Sequence, residues 1–227
     1  MNPFLSLLQF SDGLFPAGAY AHSFGLESCV ESGEVSDASG VESFLRAYLE
    51  GCAAPTDAVA VICSRLDAMR GNLDACVELD VTLDAMKMPS ELRDASRQMG
   101  RQTLRAATHL ANDPLLEEFA KSVAAEKTPG HHSLIFGMIG GLQDWDPLAM
   151  TSAYLYSTSA AMVGAALRLM PLGQLAGQRI LWNVQPLIAA LAADAQDKTQ
   201  EQMWSFAPAL EIASMQHERL DARLFRS

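Results

Sequence analysis

The amino-acid sequence of 227 residues predicts an all-α fold of roughly ten helices in one globular domain, residues 1–227. Apolar residues recur at intervals of three to five along most of the chain, which is the spacing of one helix face. Alternating runs of β-branched residues, which would mark strands, are absent. The dipeptide Asp12-Gly13 is typical of hairpins, but Pro16 follows closely and no clear strand flanks it. Because 49% of the residues are hydrophobic, the chain can build a sizeable core.

Four short segments carry the signals of a helix N-terminus. Each begins with a Ser, Thr or Asp that can cap a helix, followed by an acidic residue or a Pro in the first turn. These segments are Thr56-Asp57, Ser90-Glu91, Asp113-Pro114 and Asp146-Pro147. Long runs with few Gly or Pro follow the last two, and helical stripes of apolar residues cover three further stretches. The runs span residues 115–127 and 148–169, and the stripes span residues 44–49, 59–69 and 92–110.

Composition excludes several classes of function. The formal net charge of -11 disfavours a nucleic-acid-binding body, because phosphate binding needs a basic face. The longest apolar run, residues 160–172, is interrupted by Arg168 and Pro171 and is too short to cross a membrane. The N-terminal residues lack the basic segment of a secretory signal. The sequence therefore predicts a cytoplasmic protein without nucleic-acid or membrane partners.

The four cysteines are predicted to be small buried apolar groups. They lie far apart in the sequence, and no C-x-x-C spacing of the kind that binds zinc is present. The residues are Cys29, Cys52, Cys63 and Cys76.

The C-terminal end has a composition unlike the rest of this acidic chain. In the last nine residues, three arginines alternate with apolar side chains and meet a single acidic residue. The arginines are Arg219, Arg223 and Arg226, the apolar residues are Leu220, Leu224 and Phe225, and the acidic residue is Asp221. Basic charge combined with apolar anchors favours a docking segment, here taken as residues 206–227. A last helix that folds back on its own core is the competing interpretation.

Enzyme motifs are present only in incomplete form. Residues 21–25 resemble the G-x-S-x-G nucleophile elbow around Ser23, but a loop precedes them where that motif requires a strand. A helical hydrolase that uses Ser23 is thus an alternative in another class. Gly13 and Gly18 have the spacing of a phosphate-binding loop, but the Lys that would contact the phosphates is missing. The sequence therefore predicts neither an enzyme nor a nucleotide-binding protein.

Histidines provide the only candidate metal ligands. His217 and Asp221 are four residues apart and would share a helix face, where a structural pair is expected and nickel or zinc ligation by a direct carrier is an alternative. In the His131-His132 pair, one ring is expected to cap a helix and the other to be exposed. His22 and His109 are expected to have structural or surface roles.

Three segments resemble motifs of the urease accessory protein F family. Residues 7–27 resemble its N-terminal signature, residues 165–178 resemble its central motif, and residues 206–227, which end in Arg-Leu-Phe-Arg-Ser, are similar to its C-terminal motif. The segments occur in the family's order, so the resemblance spans nearly the whole chain. In the central motif Arg168 stands where some relatives carry Lys, and residues 72–92 match no useful motif.

The resemblance implies a non-catalytic function. Members of this family are all-α, often dimeric, cytoplasmic chaperones that bridge accessory protein D (also called H) and the GTPase accessory protein G. Their complex docks on apo-urease and couples GTP hydrolysis to nickel insertion. No stably bound cofactor is implied, since nickel is handled by the complex.

The same resemblance, together with the composition of the C-terminal end, implies a set of partner-binding residues. Leu224 and Phe225 are expected to anchor in accessory protein D with arginines at the rim, and other positions are expected to lie near the GTPase. The complete set is Glu27, Arg168, His217, Leu220, Arg223, Leu224, Phe225 and Arg226. In the N-terminal signature, Phe15 and Pro16 are expected to be packed, and Tyr20, His22 and Glu27 to lie nearer an exposed face.

Overall fold

A computed structural model describes residues 2–227. In this range the chain forms eleven α-helices, two short 3₁₀ turns and one π-helical segment, and no strand. The helices are α1 (Pro3–Ser11), α2 (Leu26–Glu31), α3 (Ala38–Tyr48), α4 (Val59–Met69), α5 (Leu73–Met86), α6 (Ser90–Ala111), α7 (Pro114–Ala124), α8 (His132–Leu142), α9 (Pro147–Leu169), α10 (Gln174–Ala195) and α11 (Pro208–His217). The all-α prediction is confirmed. None of the helices in the described range is long and apolar enough to span a bilayer.

The helix starts predicted at the Asp-Pro pairs are confirmed. Asp113 accepts a hydrogen bond from the main-chain N–H of Leu115 (2.9 Å), and Asp146 accepts one from that of Ala149 (2.7 Å). Each Asp therefore satisfies one of the N–H groups that a helix N-terminus leaves free.

The helix start predicted at Thr56 is wrong. Residues 49–58 form a π-helical segment that joins α3 to α4 without a break. The hydroxyl of Thr56 donates to the carbonyl of Trp204 (2.7 Å), and the N–H of Phe206 donates to the carbonyl of Gly51 (2.9 Å). Because the chain is already helical before Thr56, this residue does not stand at a helix N-terminus, and its side chain instead binds the incoming segment, residues 203–207.

Helix α8 forms the centre of the core. Its residues from His132 to Gly140 are all buried, and it packs against α4 and α6. A Cβ atom on Gly137 would collide with the carbonyl of Val61 and the hydroxyl of Ser64 in α4. Only glycine permits this close approach of two helices.

The four cysteines lie within or against this packing. Cys29 and Cys76 are buried, Cys52 and Cys63 are half-buried, and none forms a disulfide. Burial raises the pKa of the Cys76 thiol to about 12, with smaller contributions from Asp67 and Asp80. A thiol with such a raised pKa is a poor nucleophile, which agrees with a packing role.

Helix α11 brings the C-terminal end back to the N-terminal part of the chain. It packs against α2 and the start of α6, while α2 and the 3₁₀ turn Ala19–Ala21 pack against α9. Gly25 has a φ of 86°, and a Cβ there would lie 3.1 Å from the main-chain N of Ser214 in α11. Glycine therefore both adopts the left-handed backbone and allows the close contact that seats α11.

Candidate partner-binding site

The last ten residues, 218–227, form a non-helical tail that folds over the N-terminus of α2. The N–H groups of Ser23 and Phe24 donate to the main-chain oxygen of Ser227 (2.5 and 3.2 Å), and the N–H of Arg226 donates to the carbonyl of Ala21 (2.9 Å). These main-chain bonds join the tail to residues 21–24, which lead into α2.

Two side chains of the N-terminal signature complete this attachment. The Ser23 hydroxyl donates to the main-chain oxygen of Ser227 (2.8 Å), and His22 Nδ1 lies 2.8 Å from the Ser227 hydroxyl. Burial, and next the charge of Arg226, lower the pKa of His22 to about 4. Ser23 is fully buried, with no strand before it. This environment is that of a structural hydroxyl, whereas a nucleophile elbow exposes its serine.

Glu27, in the first turn of α2, is the main anchor of the tail. Its two carboxylate oxygens accept the N–H groups of Leu224 (2.6 Å) and Phe225 (3.1 Å). One of them also lies 2.8 Å from Nε2 of His217. The expectation that Glu27 and His22 lie near an exposed face is therefore wrong, because both are buried beneath the tail.

His217, the last residue of α11, lies fully buried between two carboxylates. Its Nδ1 is 2.6 Å from Glu91 of α6, opposite the contact of Nε2 with Glu27. The other Glu91 oxygen accepts a bond from Arg223 (2.9 Å). Acidic and basic side chains thus alternate along the row Glu27, His217, Glu91 and Arg223. Pairing of this kind is what a buried carboxylate requires.

The predicted pair of His217 and Asp221 does not form. Helix α11 ends at His217, so Asp221 is not on the same helix face and its side chain is exposed. The carboxylates that pair with His217 come instead from α2 and α6, more than 120 residues away in sequence. Among residues 2–227 no group of three His, Cys, Asp or Glu side chains is arranged to hold a metal ion.

Arg168, near the C-terminal end of α9, joins the tail to the signature loop. Its guanidinium carbon lies 3.7 Å from the ring centroid of Tyr20 and 4.2 Å from that of Phe225. The same guanidinium donates to the carbonyls of Tyr20 (2.8 Å) and Gly164 (3.1 Å). A planar cation between two aromatic rings is a favourable arrangement that Lys reproduces poorly. All three segments that carry the family resemblance therefore meet at Arg168.

The predicted anchors differ in accessibility. Phe225 is only 4% exposed because its ring packs inside its own chain, whereas Leu224 is 62% exposed. Of the arginines, Arg226 is exposed and Arg223 is exposed but paired with Glu91. Leu220 is half-buried. In this structure Phe225 therefore holds the tail in place, and Leu224 is the apolar side chain that a partner can reach.

The remaining histidines and the signature loop correct smaller expectations. His131 and His132 are both buried, so the expected exposed ring is wrong. His131 lies between Ser96 and Asp84 (3.0 Å each), and burial lowers the pKa of His132 to about 4. Phe15 packs against Phe10, as expected, but Pro16 is exposed.

Sequence reasoning missed several residues of the site. Glu91 has only the pattern of an acidic residue in a first helical turn, and no pattern distinguishes Ser227 within the docking segment. Tyr20, by contrast, lies near an exposed face as expected: it is 73% exposed beside Arg168. The composition of the tail indicated a docking segment, but no local pattern indicated that the tail packs against Glu27 and Arg168 of its own chain.

The fold and the site define a class of protein: an all-helical chain in which carboxylates, a histidine and arginines organise a surface segment. Comparison with known proteins identifies the family. The sequence model described as UreF matches residues 35–185. The urease accessory protein UreF of Bacillus sp. (strain TB-90) is 32% identical over all of both chains. That of Corynebacterium efficiens is 30% identical over 100% of this chain and 98% of its own length. The chain belongs to the UreF family.

The relatives include the parts of the site that the family model does not match. Tyr20, Glu27 and His217 lie outside residues 35–185. The UreF protein of Arthrobacter sp. (strain FB24) is 32% identical over 98% of this chain and 96% of its own length. Similarity therefore extends to both ends of the chain.

Proposed function

We propose that this chain is a non-catalytic scaffold of urease maturation in the cytoplasm. It bridges accessory protein D (or H) and the GTPase accessory protein G, and it couples GTP hydrolysis to nickel insertion into apo-urease. Nickel is the cargo of the assembled complex, and the chain itself needs no stably bound cofactor. Family membership and the organisation of the C-terminal segment support this proposal.

The observation that carries the proposal is the meeting of three distant segments at Arg168. Tyr20 comes from the signature loop, Arg168 from α9 and Phe225 from the tail. The tail is held by buried hydrogen bonds of Glu27, and His217 contacts Glu27 and Glu91 beneath it, yet the outer side of the tail exposes Leu224 and Arg226. An ordered segment that presents an apolar and a basic side chain is suited to binding, because little conformational entropy is lost when the partner docks.

The two proposed partners use different parts of this surface. Accessory protein D contacts the exposed apolar residues of the docking segment, which are Phe206, Ile212, Met215 and Leu224. The GTPase contacts the neighbouring surface around Tyr20 and Arg168. Glu27 and His217 are buried, so they act on both partners by positioning the tail.

The test is reconstitution with purified accessory protein D, the GTPase and apo-urease. Leu224→Asp places a charge on the proposed anchor and should weaken capture of accessory protein D by about 30-fold or more, as for other interface anchors. Val81→Asp is the matched control, because Val81 is an exposed apolar residue of α5, outside the docking segment. Urease activation should fall with Leu224→Asp and not with Val81→Asp.

Deletion of residues 220–227 gives an independent check. The tail contributes no helix, so the helical circular dichroism signal should remain while capture of accessory protein D is lost. Full capture and activation by the truncated chain would contradict the proposal.

A further inference from the structure

A groove between α1 and α6 brings together exposed apolar side chains from three parts of the chain. Leu5 and Leu8 come from α1, Leu14 from the loop that follows it, and Leu110 from the last turn of α6. The groove measures about 700 Å³, and Leu14 at its edge is 94% exposed. Large apolar side chains that converge on one open surface are typical of a binding site. Neither the docking segment nor Arg168 lines this groove, so it is separate from the site described above.

A stripe of basic residues runs along α6 into the same groove. Its members recur every four residues, so they lie along one side of the helix. They are Arg93, Arg97, Arg101, Arg105 and His109. His109 lines the groove itself, and Arg105 lies one turn before it. Residues 95–111 contain three arginines and no acidic residue, although the chain has a formal net charge of -11.

Arg101 and Arg105, the two arginines nearest the groove, have no carboxylate partner in their own chain. Among residues 2–227, the only arginine of α6 that pairs with carboxylates is Arg97. Arg101 donates to the carbonyl of Pro129 (3.3 Å), and the side chains of Arg101 and Arg105 are both exposed. Their charges are therefore available to the carboxylates of a partner.

The acidic residues around this surface do not cancel its charge. Asp12 lines the groove, but its carboxylate already accepts the N–H of Leu14 (2.7 Å). Beyond Arg101, Glu126 and Lys127 line the neighbouring surface together, and their opposite charges offset each other. The surface from the groove to Arg101 thus carries a net positive charge, opposite in sign to the chain as a whole.

We propose that the groove and the basic stripe of α6 bind an acidic amphipathic helix of another protein. The apolar face of that helix occupies the groove between α1 and α6, and its carboxylates pair with Arg101 and Arg105. The two arginines are one turn apart, about 6 Å along α6, so carboxylates four residues apart on a helix that runs beside α6 meet both. The acidic remainder of the chain repels the same helix, so charge selects this surface as well as strengthening the contact.

A second copy of the chain is a poor occupant of this surface. A two-fold axis through the stripe sets Arg101 and Arg105 of one copy against the same arginines of the other. Like charges in that position repel, and no acidic residue of α6 after Asp94 offsets them. The occupant therefore comes from a protein of different sequence, and the inference does not depend on the function proposed above.

Binding of a synthetic peptide to the full-length chain tests the proposal. The probe is a fluorescent peptide of about 20 residues, long enough to form a helix in water, with Leu at positions i, i+3, i+4 and i+7 and Glu beside them. A matched peptide carries Gln in place of every Glu. At low salt the Glu peptide should bind at least about tenfold more tightly than the Gln peptide, and the difference should shrink in about 0.5 M salt. A dissociation constant above about 1 mM for the Glu peptide, or equal affinities of the two peptides, would overturn the proposal.

Variants of the groove and of the stripe locate the bound peptide. Leu8→Asp places a charge in the groove and should weaken binding of the Glu peptide by about 30-fold or more. Arg101→Glu combined with Arg105→Glu should reverse the preference, so that the Gln peptide binds more tightly than the Glu peptide. The three side chains are exposed, so these variants should keep the helical circular dichroism signal. Unchanged binding of the Glu peptide to the variants would refute the site.

Helix α10 offers matched controls, because it also exposes an apolar and a basic side chain one turn apart. These are Leu175 and Arg179. Leu175→Asp and Arg179→Glu make the same kinds of charge change outside the groove and should leave binding of the Glu peptide unchanged. Loss of binding in these controls and not in Leu8→Asp would place the peptide on α10 and contradict the proposal.

Sedimentation velocity of the isolated chain tests the competing occupant. Leu8→Asp should leave the oligomeric state of the chain unchanged, because the groove is reserved for a different protein. If the wild-type chain associates with itself and Leu8→Asp dissociates it, the groove holds a second copy and the proposal is wrong.

Discussion

Two buried carboxylates, Asp80 of α5 and Glu27 of α2, each accept main-chain N–H groups from a distant segment of the chain. The segment at Asp80 is the loop before α8, whereas the segment at Glu27 is the C-terminal tail. Asp80 accepts the hydroxyl of Thr128 (2.5 Å) and the N–H groups of Gly130 (2.6 Å) and His131 (2.8 Å). Glu27 accepts the N–H groups of Leu224 and Phe225. A histidine lies beside each carboxylate. His131, next to Asp80, contacts Asp84, and His217, next to Glu27, contacts both Glu27 and Glu91.

The difference lies in how each segment is connected to the rest of the fold. The loop at Asp80 leads directly into α8, the central helix, and residues 130–140 are buried. The tail at Glu27 follows the last helix and has an exposed outer side. The same hydrogen-bonding arrangement therefore stabilises the core in one place and orders a partner-facing segment in the other. Four predictions test this contrast.

Asp80→Ala should have the largest effect on stability. The substitution leaves two buried N–H groups and one hydroxyl without an acceptor, and each such group costs about 1–3 kcal/mol. We expect the free energy of unfolding in urea to fall by about 3–5 kcal/mol, with urease activation falling only in proportion to the folded protein. A loss below about 1 kcal/mol would mean that the loop does not depend on Asp80.

Glu27→Ala should destabilise the protein less and affect function more. It removes the acceptor of two main-chain N–H groups at the edge of the fold, which we expect to cost about 2 kcal/mol. Trypsin should then cleave faster after Arg219 and Arg223, and capture of accessory proteins should fall more than the melting temperature predicts. Glu34→Ala, an exposed acidic residue after α2, is the control. Slow cleavage together with full capture would refute the positioning role of Glu27.

Acidification should weaken the folded state through His132 and His22. Burial lowers the pKa of each from 6.5 to about 4, so between these values the unfolded chain binds more protons than the folded one. The stabilising contribution is complete above pH 6.5 and is lost as the pH falls toward 4. His132→Gln should reduce the loss of unfolding free energy over this range by about 3 kcal/mol.

The matched control for that experiment is the exposed His109, since His109→Gln should leave the pH dependence unchanged. The charged groups near His132, Asp57 and Lys87, are present in both variants. Equal slopes for His132→Gln and the wild type would show that His132 does not resist protonation.

Arg168 should give the smallest effect. Its guanidinium is already engaged by Tyr20, Gly164 and Phe225 within its own chain, so it is not free to act as an arginine finger. Arg168→Lys should cost about 1 kcal/mol by losing the stacked geometry. Arg168→Ala should change GTP turnover of the assembled complex by less than about tenfold, whereas loss of a finger would lower it by about 10³–10⁵. A fall of that size would overturn the structural role.

Much of the fold could be predicted from local sequence, because a helix start depends on adjacent residues. Asp113 and Asp146 cap the helices that follow them, as their Asp-Pro pairs indicated. Thr56 has the same local signal but begins no helix, because the helical backbone continues through it from α3 to α4, and its hydroxyl bonds to Trp204, 148 residues away. A capping signal therefore predicts a helix start only where no helix already runs through the residue.

The sequence predicted several of the residues that form the candidate site, but it did not predict how they are arranged. Glu27, Arg168 and His217 were named from the family resemblance, and the structure brings all three to one end of the fold. Their arrangement was not predictable, since Asp221 has the right spacing from His217 but lies beyond the end of α11. Glu91 supplies the second carboxylate instead, from a helix that starts 127 residues earlier in the chain.

The sequence by itself determined that this protein is helical, where three of its helices begin, and that an arginine-rich C-terminal end sits on an acidic chain. These properties follow from spacing, capping and composition, which act over a few residues. Only the tertiary structure decided which side of that end faces the partner. Glu27 binds main-chain N–H groups, which every residue carries and no sequence pattern distinguishes, so the inward turn of Phe225 and the exposure of Leu224 depend on the fold that places α2 beneath the tail.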